Sequence, residues 1–277
     1  MLNNVTIFDC TLRELGYQTG WFFDSEFILD SYKLAQGKGI DYIEIGFFHD
    51  QSADSGRGIY RYCSQKNDEI NGVFGSIKGR AKISAMRDIQ RPLSDLVAKD
   101  CSIVDAVRII NRSHENNFGE LEKQVDYIRN YGYEVFVNFT SAGYNDEKTN
   151  IEFAKFSKKI GLDVIYFADT ESVFTPDFVS NTIDLCRAEG VEAGMHLHDK
   201  NGMADMLFEV ALSKGCKYVD GTLLGLGGKW HDGNLSIEHI LRKFEVDGGF
   251  ELNKLKTDLI QQLIKYNNHT AAVRSPI

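Results

Sequence analysis

The chain has 277 residues, of which 43% are hydrophobic and 26% are charged, and its formal net charge is −9 at pH 7. This is an ordinary soluble globular composition with room for one large domain. The acidic balance and the absence of a Lys/Arg run argue against nucleic acid or an anionic membrane surface as main partner, and no apolar run reaches the roughly 18 residues of a membrane span.

Strand-like and helix-like stretches alternate from one end of the chain to the other. Runs rich in β-branched and apolar residues predict strands at 5–8, 42–47, 81–86, 105–110, 133–139, 163–167, 192–197 and 218–222. Helices are predicted at 25–37, 92–99, 121–131, 150–160, 176–189, 203–213, 236–244 and 255–266. Thr175 before Pro176 has the pattern of an N-cap followed by proline at the first helical position.

Eight such alternations in a chain of this length predict an α/β fold, a (β/α)8 TIM barrel. We expect a single domain over residues 1–277, with the barrel at about 1–248 and a short helical extension at 249–277. A doubly wound open sheet is the alternative, and it is disfavoured because no glycine fingerprint follows the first strand. Polar residues instead recur at strand ends, which converge on one site in a barrel. They are Arg13, Glu14, Glu44, Arg108, Asn111, Asn138, Asp169, Thr170, His196 and His198.

An arginine and a glutamate, Arg13 and Glu14, follow the first strand, and Gly16 is expected to let the chain turn away from it. Burying an acid and a guanidinium at a strand end is costly without partners. The pair therefore fits a bound cation and a ligand that carries a carboxylate. The alternative is a salt bridge that secures the strand end, with Glu44 or Asp169 as the partner of Arg13.

Two histidines, His196 and His198, are two residues apart on the seventh strand, so their side chains share one face. With Glu14 they form a set of two imidazoles and one carboxylate, which suits a divalent cation with open positions for water and substrate. Such pairs also occur by chance on surface strands. The prediction therefore depends on the combination with Arg13 and Glu14.

Two further features lie close to these residues in the predicted barrel. Tyr17 can reach back over the site, either as a general acid/base or as a packed lid. The glycine-rich stretch at 225–228 lacks the Walker pattern, so a flexible active-site loop is favoured over a phosphate loop.

Taken together, the motifs resemble the DRE-TIM metallolyases, a superfamily of metal-dependent aldolases, lyases and synthases. The resemblance rests on Arg-Glu after the first strand, H-x-H-D-x-x-G-x-A at 196–204 and G-L-G-G…G-N at 225–234. It implies that Glu14, His196 and His198 are metal ligands with Asn234 close by, and that Arg13 stabilises an enolate. It also implies that Thr170 lies near the substrate, and that Tyr17 stands where the family's 4-hydroxy-2-oxovalerate aldolase has its histidine base.

Some positions depart from the family pattern. The first motif reads T-L-R-E-L at 11–15 where the family usually has T-L-R-D-G, although homocitrate synthases also carry glutamate there. The sequence G-K-W-H at 228–231 lacks the cysteine of hydroxymethylglutaryl-CoA lyase, which argues against that activity. The end of the sixth strand has no lysine to carboxylate, which argues against a biotin-dependent carboxyltransferase.

The resemblance therefore predicts an aldolase that cleaves or forms a C–C bond of a 4-hydroxy-2-oxo acid through a pyruvate enolate. Mn²⁺ or Mg²⁺ is the expected cofactor, with Co²⁺ or Zn²⁺ as alternatives. Arg13, Glu44, Asn138 and Thr170 are expected to contact the 2-oxo acid and aldehyde. Tyr17 is the expected base, with His114 or a metal-bound water next in line.

Two other functions remain open. One is an acyl-CoA-dependent Claisen-type synthase of the isopropylmalate or homocitrate synthase kind, favoured by Glu14. The other is a barrel that binds a metal or ligand without catalysis, motivated by Glu14 and Leu15. A homodimer is one expectation for the assembly, and whether a partner dehydrogenase binds is left open.

The cysteines and the N-terminus bear on the compartment. The five cysteines are odd in number and form no CxxC pair, as expected for reduced thiols. They are Cys10, Cys63, Cys101, Cys186 and Cys216. The first residues lack the apolar region of a signal peptide. We therefore expect a cytoplasmic protein.

Overall fold

Eight parallel strands close into a barrel and pair in chain order, with β8 returning to β1. The computed structural model describes residues 2, 4–50, 56–75, 77, 79–113 and 117–271, apart from the side chains of 95 and 267–271. The strands are β1 Thr6–Asp9, β2 Tyr42–Phe47, β3 Lys82–Asp88, β4 Ala106–Arg112, β5 Glu134–Thr140, β6 Val164–Ala168, β7 Glu192–His196 and β8 Tyr218–Gly221. The barrel closes where Ile7 of β1 lies opposite Val219 of β8. The predicted (β/α)8 barrel is confirmed.

Helices surround this barrel, and nine α-helices are present in the described part of the chain. They are α1 Thr11–Thr19, α2 Ser25–Lys38, α3 Asn67–Phe74, α4 Phe118–Asn130, α5 Glu147–Lys159, α6 Pro176–Ala188, α7 Ala204–Ser213, α8 Ile237–Lys243 and α9 Gly249–Ala271. The predicted cap of α6 is confirmed, because the Thr175 hydroxyl accepts the backbone N–H of Phe178 at 3.1 Å. None of the described helices is long and apolar enough to cross a membrane.

The helix predicted at 92–99 is wrong. That connection contains two short 3-10 helices, Leu93–Asp95 and Lys99–Cys101, between β3 and β4. The fully buried side chain of Arg87 donates to the carbonyl of Pro92 at 2.6 Å, and Gln124 donates to the carbonyl of Arg91 at 2.8 Å. These carbonyls, which an α-helix would use for its own backbone bonds, are thus bonded to side chains.

Directly after β1, the chain enters α1 instead of the predicted tight turn. Asp9 accepts the backbone N–H of Thr11 at 2.9 Å, which satisfies one donor of the first helical turn. Gly16 lies inside this helix, and a side-chain carbon there would come within 2.1 Å of the indole nitrogen of Trp21. The role of Gly16 is therefore close packing against Trp21 and not a turn.

The interior of the barrel has an aromatic end and a polar end. Phe8 and Tyr42 stack with ring centroids 4.1 Å apart, and Phe136 and Tyr166 pack edge-on against Phe8. Tyr42 begins β2, and Phe136 lies in the N-terminal half of β5. Charged and polar side chains occupy the C-terminal end, where barrel enzymes place their active sites.

The C-terminal helical extension is also confirmed, although it is longer than predicted. Helix α9 packs against α1 and α2, and the side chain of Gln262 bonds with Asp24 at the start of α2. Because α1 carries Arg13, Glu14 and Tyr17, α9 supports the element that brings these residues to the barrel mouth.

Candidate metal centre

Three ligand-type side chains from distant parts of the chain converge at the C-terminal end of the barrel. The Glu14 carboxylate lies 3.0 Å from His196 Nε2, and His198 Nε2 lies 3.2 Å from the same nitrogen. Ligand atoms of all three lie within 4.8 Å of one another, and the three residues are buried. Glu14 comes from α1, His196 ends β7, and His198 is held by a backbone bridge to Asn234. This set could hold a divalent cation.

A buried carboxylate, Asp220 on β8, determines the orientation of His196. His196 Nδ1 lies 2.8 Å from Asp220, which also accepts two hydrogen bonds from Arg108 at 2.9 and 2.7 Å. Because a carboxylate can only accept, a hydrogen on Nδ1 makes this bond, and Nε2 faces Glu14 and His198. A carboxylate behind a histidine in this way is typical of metal ligands.

The protonation states follow from burial and from these contacts. Burial would raise the pKa of Glu14, but Arg13 and His196 outweigh it and hold that pKa well below its usual range. Burial, aided by His196, lowers the pKa of His198 to about 4. At neutral pH the centre thus presents a carboxylate and a neutral imidazole, the forms that bind a metal. For His196, burial lowers the pKa, but the hydrogen bonds to Asp220 and Glu14 outweigh burial and the net shift is upward.

Arg13 lies between two carboxylates beside this centre. Its Nη1 contacts Glu14, and its Nε donates to Glu44 at 2.9 Å. The ion pair with Glu44 that the sequence left as an alternative is therefore present, whereas Asp169 accepts the backbone N–H groups of Val173 and Phe174 instead. The third nitrogen, Nη2, is buried and has no hydrogen-bond partner in the described structure, so one strong donor remains for a ligand.

Asn234 supplies a second unsatisfied group at the centre. Both polar atoms of its side chain are buried and lack a hydrogen-bond partner among the described residues. Leaving such groups unpaired costs about 1–3 kcal/mol each. The unpaired amide beside three ligand-type side chains fits a cation or its water at this position. The residues present are therefore compatible with a divalent metal.

A cavity of about 310 Å³ opens above these residues, a volume at the lower end for small-molecule sites. Seven of the predicted site residues line it: Arg13, Glu14, Tyr17, Asn138, Thr170, His196 and His198. Glu44 is not among its lining residues. It is fully buried beneath Arg13 and also pairs with Arg108 at 2.9 Å. Its position is that of a support for Arg13, and not of a substrate contact.

Tyr17 lies one helical turn after Arg13 on α1 and faces the same cavity. Its ring packs edge-on against Trp21 at 5.0 Å. Burial and the Glu14 charge raise its pKa, and the opposing effect of Arg13 and Arg61 is smaller. The protein groups thus keep this hydroxyl protonated at neutral pH. His114, the alternative base, lies outside the described residues.

Two features of the centre were missed from the sequence. Asp220 is a charged residue within a buried strand. Because burying an unpaired charge is costly, its presence there indicates an ionic partner. Gly227 packs directly on Glu14, and a side-chain carbon at Gly227 would come within 2.5 Å of Glu14 Cβ. No sequence pattern indicates that contact, because it joins residues 213 positions apart.

Several known proteins are similar to this chain. The 4-hydroxy-2-oxovalerate aldolase of Carboxydothermus hydrogenoformans is 23% identical over 274 residues, which cover 95% of this chain and 78% of that protein. The (R)-citramalate synthase of Sulfolobus acidocaldarius is 27% identical over 278 residues, covering 91% of this chain and 51% of that protein. The chain thus spans most of the aldolase but only about half of the synthase.

Solved structures agree with the fold. The N-terminal domain of a proposed aldolase from Bacteroides vulgatus matches with a TM-score of 0.79 at 26% identity, covering 95% of this chain and 88% of that chain. The HMG-CoA lyase of Bacillus subtilis matches with a TM-score of 0.73 at 16% identity, covering 95% of this chain and 93% of that chain. The family model described as HMGL-like matches residues 4–268. The chain therefore belongs to the HMGL-like family, the DRE-TIM barrels that its motifs indicated.

Proposed function

We propose that this protein is a divalent-metal-dependent aldolase acting on a 4-hydroxy-2-oxo acid. The observation that carries the proposal is the convergence of Glu14, His196 and His198 beside the unpaired Nη2 of Arg13. Relatives named 4-hydroxy-2-oxovalerate aldolase, at 23–28% identity, support it. The substrate would be a small 2-oxo acid that releases pyruvate and an aldehyde.

Glu14, His196 and His198 would hold the cation, with Asn234 as a further contact, and Mn²⁺ or Mg²⁺ is proposed. When bound, the cation would supply a Lewis acid for the 2-oxo and carboxylate oxygens of the substrate. Asp220 keeps His196 in the tautomer that this role needs.

Arg13 is proposed to stabilise the charge that develops during cleavage. As the bond between C3 and C4 breaks, its electron pair moves into an enolate, and the 2-oxo oxygen gains negative charge. Arg13 Nη2 can donate a hydrogen bond to that oxygen, while Glu44 holds Nε in place. A preoriented donor of this kind typically contributes about 10²–10³ in turnover.

Tyr17 is proposed to handle the proton of the 4-hydroxyl. Its hydroxyl is protonated and faces the cavity. Its oxygen accepts the substrate proton as its own proton passes to water at the open side, which leaves the aldehyde carbonyl. Asn138 and Thr170 line the same cavity and are proposed to orient the substrate.

The experiment compares two reactions of metal-saturated protein: pyruvate release from 4-hydroxy-2-oxo acids and decarboxylation of oxaloacetate. Both pass through the pyruvate enolate, but only the first has a hydroxyl proton to remove. Arg13→Ala should slow both by about 10²–10³, and Tyr17→Phe should slow mainly the aldol cleavage. Tyr144→Phe, at an exposed tyrosine, is the matched control. Equal slowing of both reactions by Tyr17→Phe would make Tyr17 a lid or packing residue.

A Claisen-type synthase is the second candidate. The observation that favours it is that synthase relatives, such as the citramalate synthase at 27% identity, match this chain as well as the aldolases do. Incubation with acetyl-CoA and 2-oxo acids separates the two functions. Release of free thiol without pyruvate formation from hydroxy-oxo acids would favour the synthase over the aldolase.

A further inference from the structure

The cavity has a deep end and a mouth, which differ in the exposure of their side chains. Glu14, His196 and His198, at the deep end, are 1%, 3% and 7% exposed. Lys229 and Trp230, which line the same cavity, are exposed, and Trp230 is 57% exposed. A 2-oxo acid held at the deep end by its carboxylate therefore directs its other end toward these two residues.

The charge of the cavity is opposite to that of the chain. The chain has 31 Lys and Arg residues against 40 Asp and Glu. Among the described lining residues, three are Lys or Arg, and Glu14 is the one acid. Of the cations, Arg13 belongs to the deep end, and Arg112 forms an ion pair with Asp88 at 2.6 Å. This leaves Lys229 as the cation at the mouth without an acidic partner within 4.0 Å in the described structure.

The loop that carries Lys229 and Trp230 is anchored on both sides. Gly227 packs against Glu14, and the side chain of Gln18 donates to the carbonyl of Gly228 at 3.1 Å. On the other side, the backbone of Asn234 bonds to the carbonyl of Gly225 at 2.8 Å. The ammonium of Lys229 lies 5.2 Å from the ring centre of Trp230, an arrangement in which the ring face attracts the cation. The Lys229 ammonium therefore lies at the cavity mouth on a loop that is anchored on both sides.

We propose that the substrate is doubly anionic: the half that leaves as the aldehyde ends in a carboxylate or phosphate, which binds Lys229 at the cavity mouth. This rests on the proposed function, because the 2-oxo acid end must occupy the metal centre. Trp230 supplies an apolar face beside the same group. A solvated lysine that contacts no substrate is the alternative that the experiment has to separate.

The experiment measures binding by calorimetry to the Mn²⁺-loaded protein, using acids that lack a 4-hydroxyl and cannot be cleaved. Three probes share the 2-oxo acid end and differ in the tail: 2-oxohexanoate is uncharged there, 2-oxoadipate carries a carboxylate, and 2-oxo-5-phosphonopentanoate a phosphonate. The wild type should prefer one or both charged tails over 2-oxohexanoate. Comparing the two charged probes distinguishes carboxylate from phosphate.

Lys229→Ala should reduce that preference by about 2–5-fold, the size expected for a solvent-exposed ion pair, without weakening 2-oxohexanoate. Lys229→Glu should reduce it further, and Lys229→Arg should keep it. Lys217→Ala is the matched control, because Lys217 lies before β8 at the opposite end of the barrel. Added salt should diminish the preference of the wild type.

The outcomes separate the two proposals. Equal binding of charged and uncharged tails by the wild type overturns the doubly anionic substrate. A preference that Lys229→Ala leaves unchanged overturns Lys229 as the group that binds the second charge. Both outcomes leave the aldolase standing. Failure of all three probes to bind the metal-loaded protein overturns the proposed function as well. A preference that Lys229→Ala reduces and Lys217→Ala retains supports the inference.

Discussion

Gly227 gives the sharpest test of how the loop after β8 supports the candidate metal centre. An alanine there would place its Cβ 2.5 Å from Glu14 Cβ, 3.2 Å from the Glu14 backbone carbon and 3.3 Å from Asn234 Nδ2. The first of these contacts joins the loop directly to a proposed ligand. Gly227→Ala should therefore weaken metal binding as well as folding.

The magnitude follows from the geometry. Carbon atoms prefer about 3.5–4.0 Å, so the overlap with Glu14 is about 1 Å. Overpacking of this kind costs about 1–3 kcal/mol. The backbone φ of +124° at Gly227 adds about 1–3 kcal/mol to the cost of an alanine, since residues other than glycine rarely adopt this angle. We expect the free energy of unfolding to fall by about 2–6 kcal/mol, and Mn²⁺ affinity to fall by about 10–100-fold as Glu14 is displaced.

The assay combines chemical denaturation of the metal-free protein with calorimetric titration of Mn²⁺. Gly37→Ala is the matched control, because Gly37 lies within α2 and a side-chain carbon there would meet nothing within 4 Å. That variant should bind Mn²⁺ like the wild type and gain about 0.5–1 kcal/mol of stability. Gly227→Ala with wild-type stability and Mn²⁺ affinity would refute the close packing of the loop on Glu14.

Three further predictions concern the two histidines of the centre, Asp220 and His49. The double variant His196→Ala/His198→Ala should lose Mn²⁺ binding in calorimetry while its circular dichroism remains that of a folded barrel, and full occupancy would contradict the ligand assignment. Asp220→Asn should weaken Mn²⁺ binding by about 10–100-fold, because an amide can donate to His196 Nδ1 and leave the hydrogen on Nε2; unchanged affinity would show that the carboxylate does not select the tautomer. Burial, with nearby arginines, lowers the pKa of His49 from 6.5 to about 2. The folded state then binds this proton less readily than the unfolded state, so stability should fall as pH drops below 6.5, by about 1.4 kcal/mol per pH unit and about 2.7 kcal/mol by pH 4.5. His49→Gln should remove that part of the slope, and equal slopes for both proteins in denaturation series would argue against it.

Much of the barrel could be predicted because strand and helix patterns are local. The second strand has its predicted bounds, Tyr42–Phe47, since its apolar run is bounded on both sides. The two errors, at α1 near the site and in the connection after β3, have different causes. Helix α1 was read as a turn because Arg13, Glu14 and Gly16 lack a helical apolar pattern, and 92–99 was read as a helix because the side chains that take its carbonyls, Arg87 and Gln124, lie elsewhere in the sequence.

The ligand-type residues of the centre could also be proposed from the sequence. His196 and His198 share a strand face by periodicity alone, and Glu14 follows the first strand. The roles of these residues remain predictions, although the structure brings their ligand atoms together. Barrel closure is what joins them, because it places the ends of β1, β7 and β8 side by side.

What only the tertiary structure decided is the environment of each group. The positions of strands and helices can be predicted along the chain, since they depend on neighbours within a few positions. The carboxylate of Asp220 behind His196, the support of Arg13 by Glu44 and the packing of Gly227 on Glu14 join residues 24, 31 and 213 positions apart. Such contacts depend on how the closed barrel excludes water and forces buried charges to pair, a condition that no local pattern encodes.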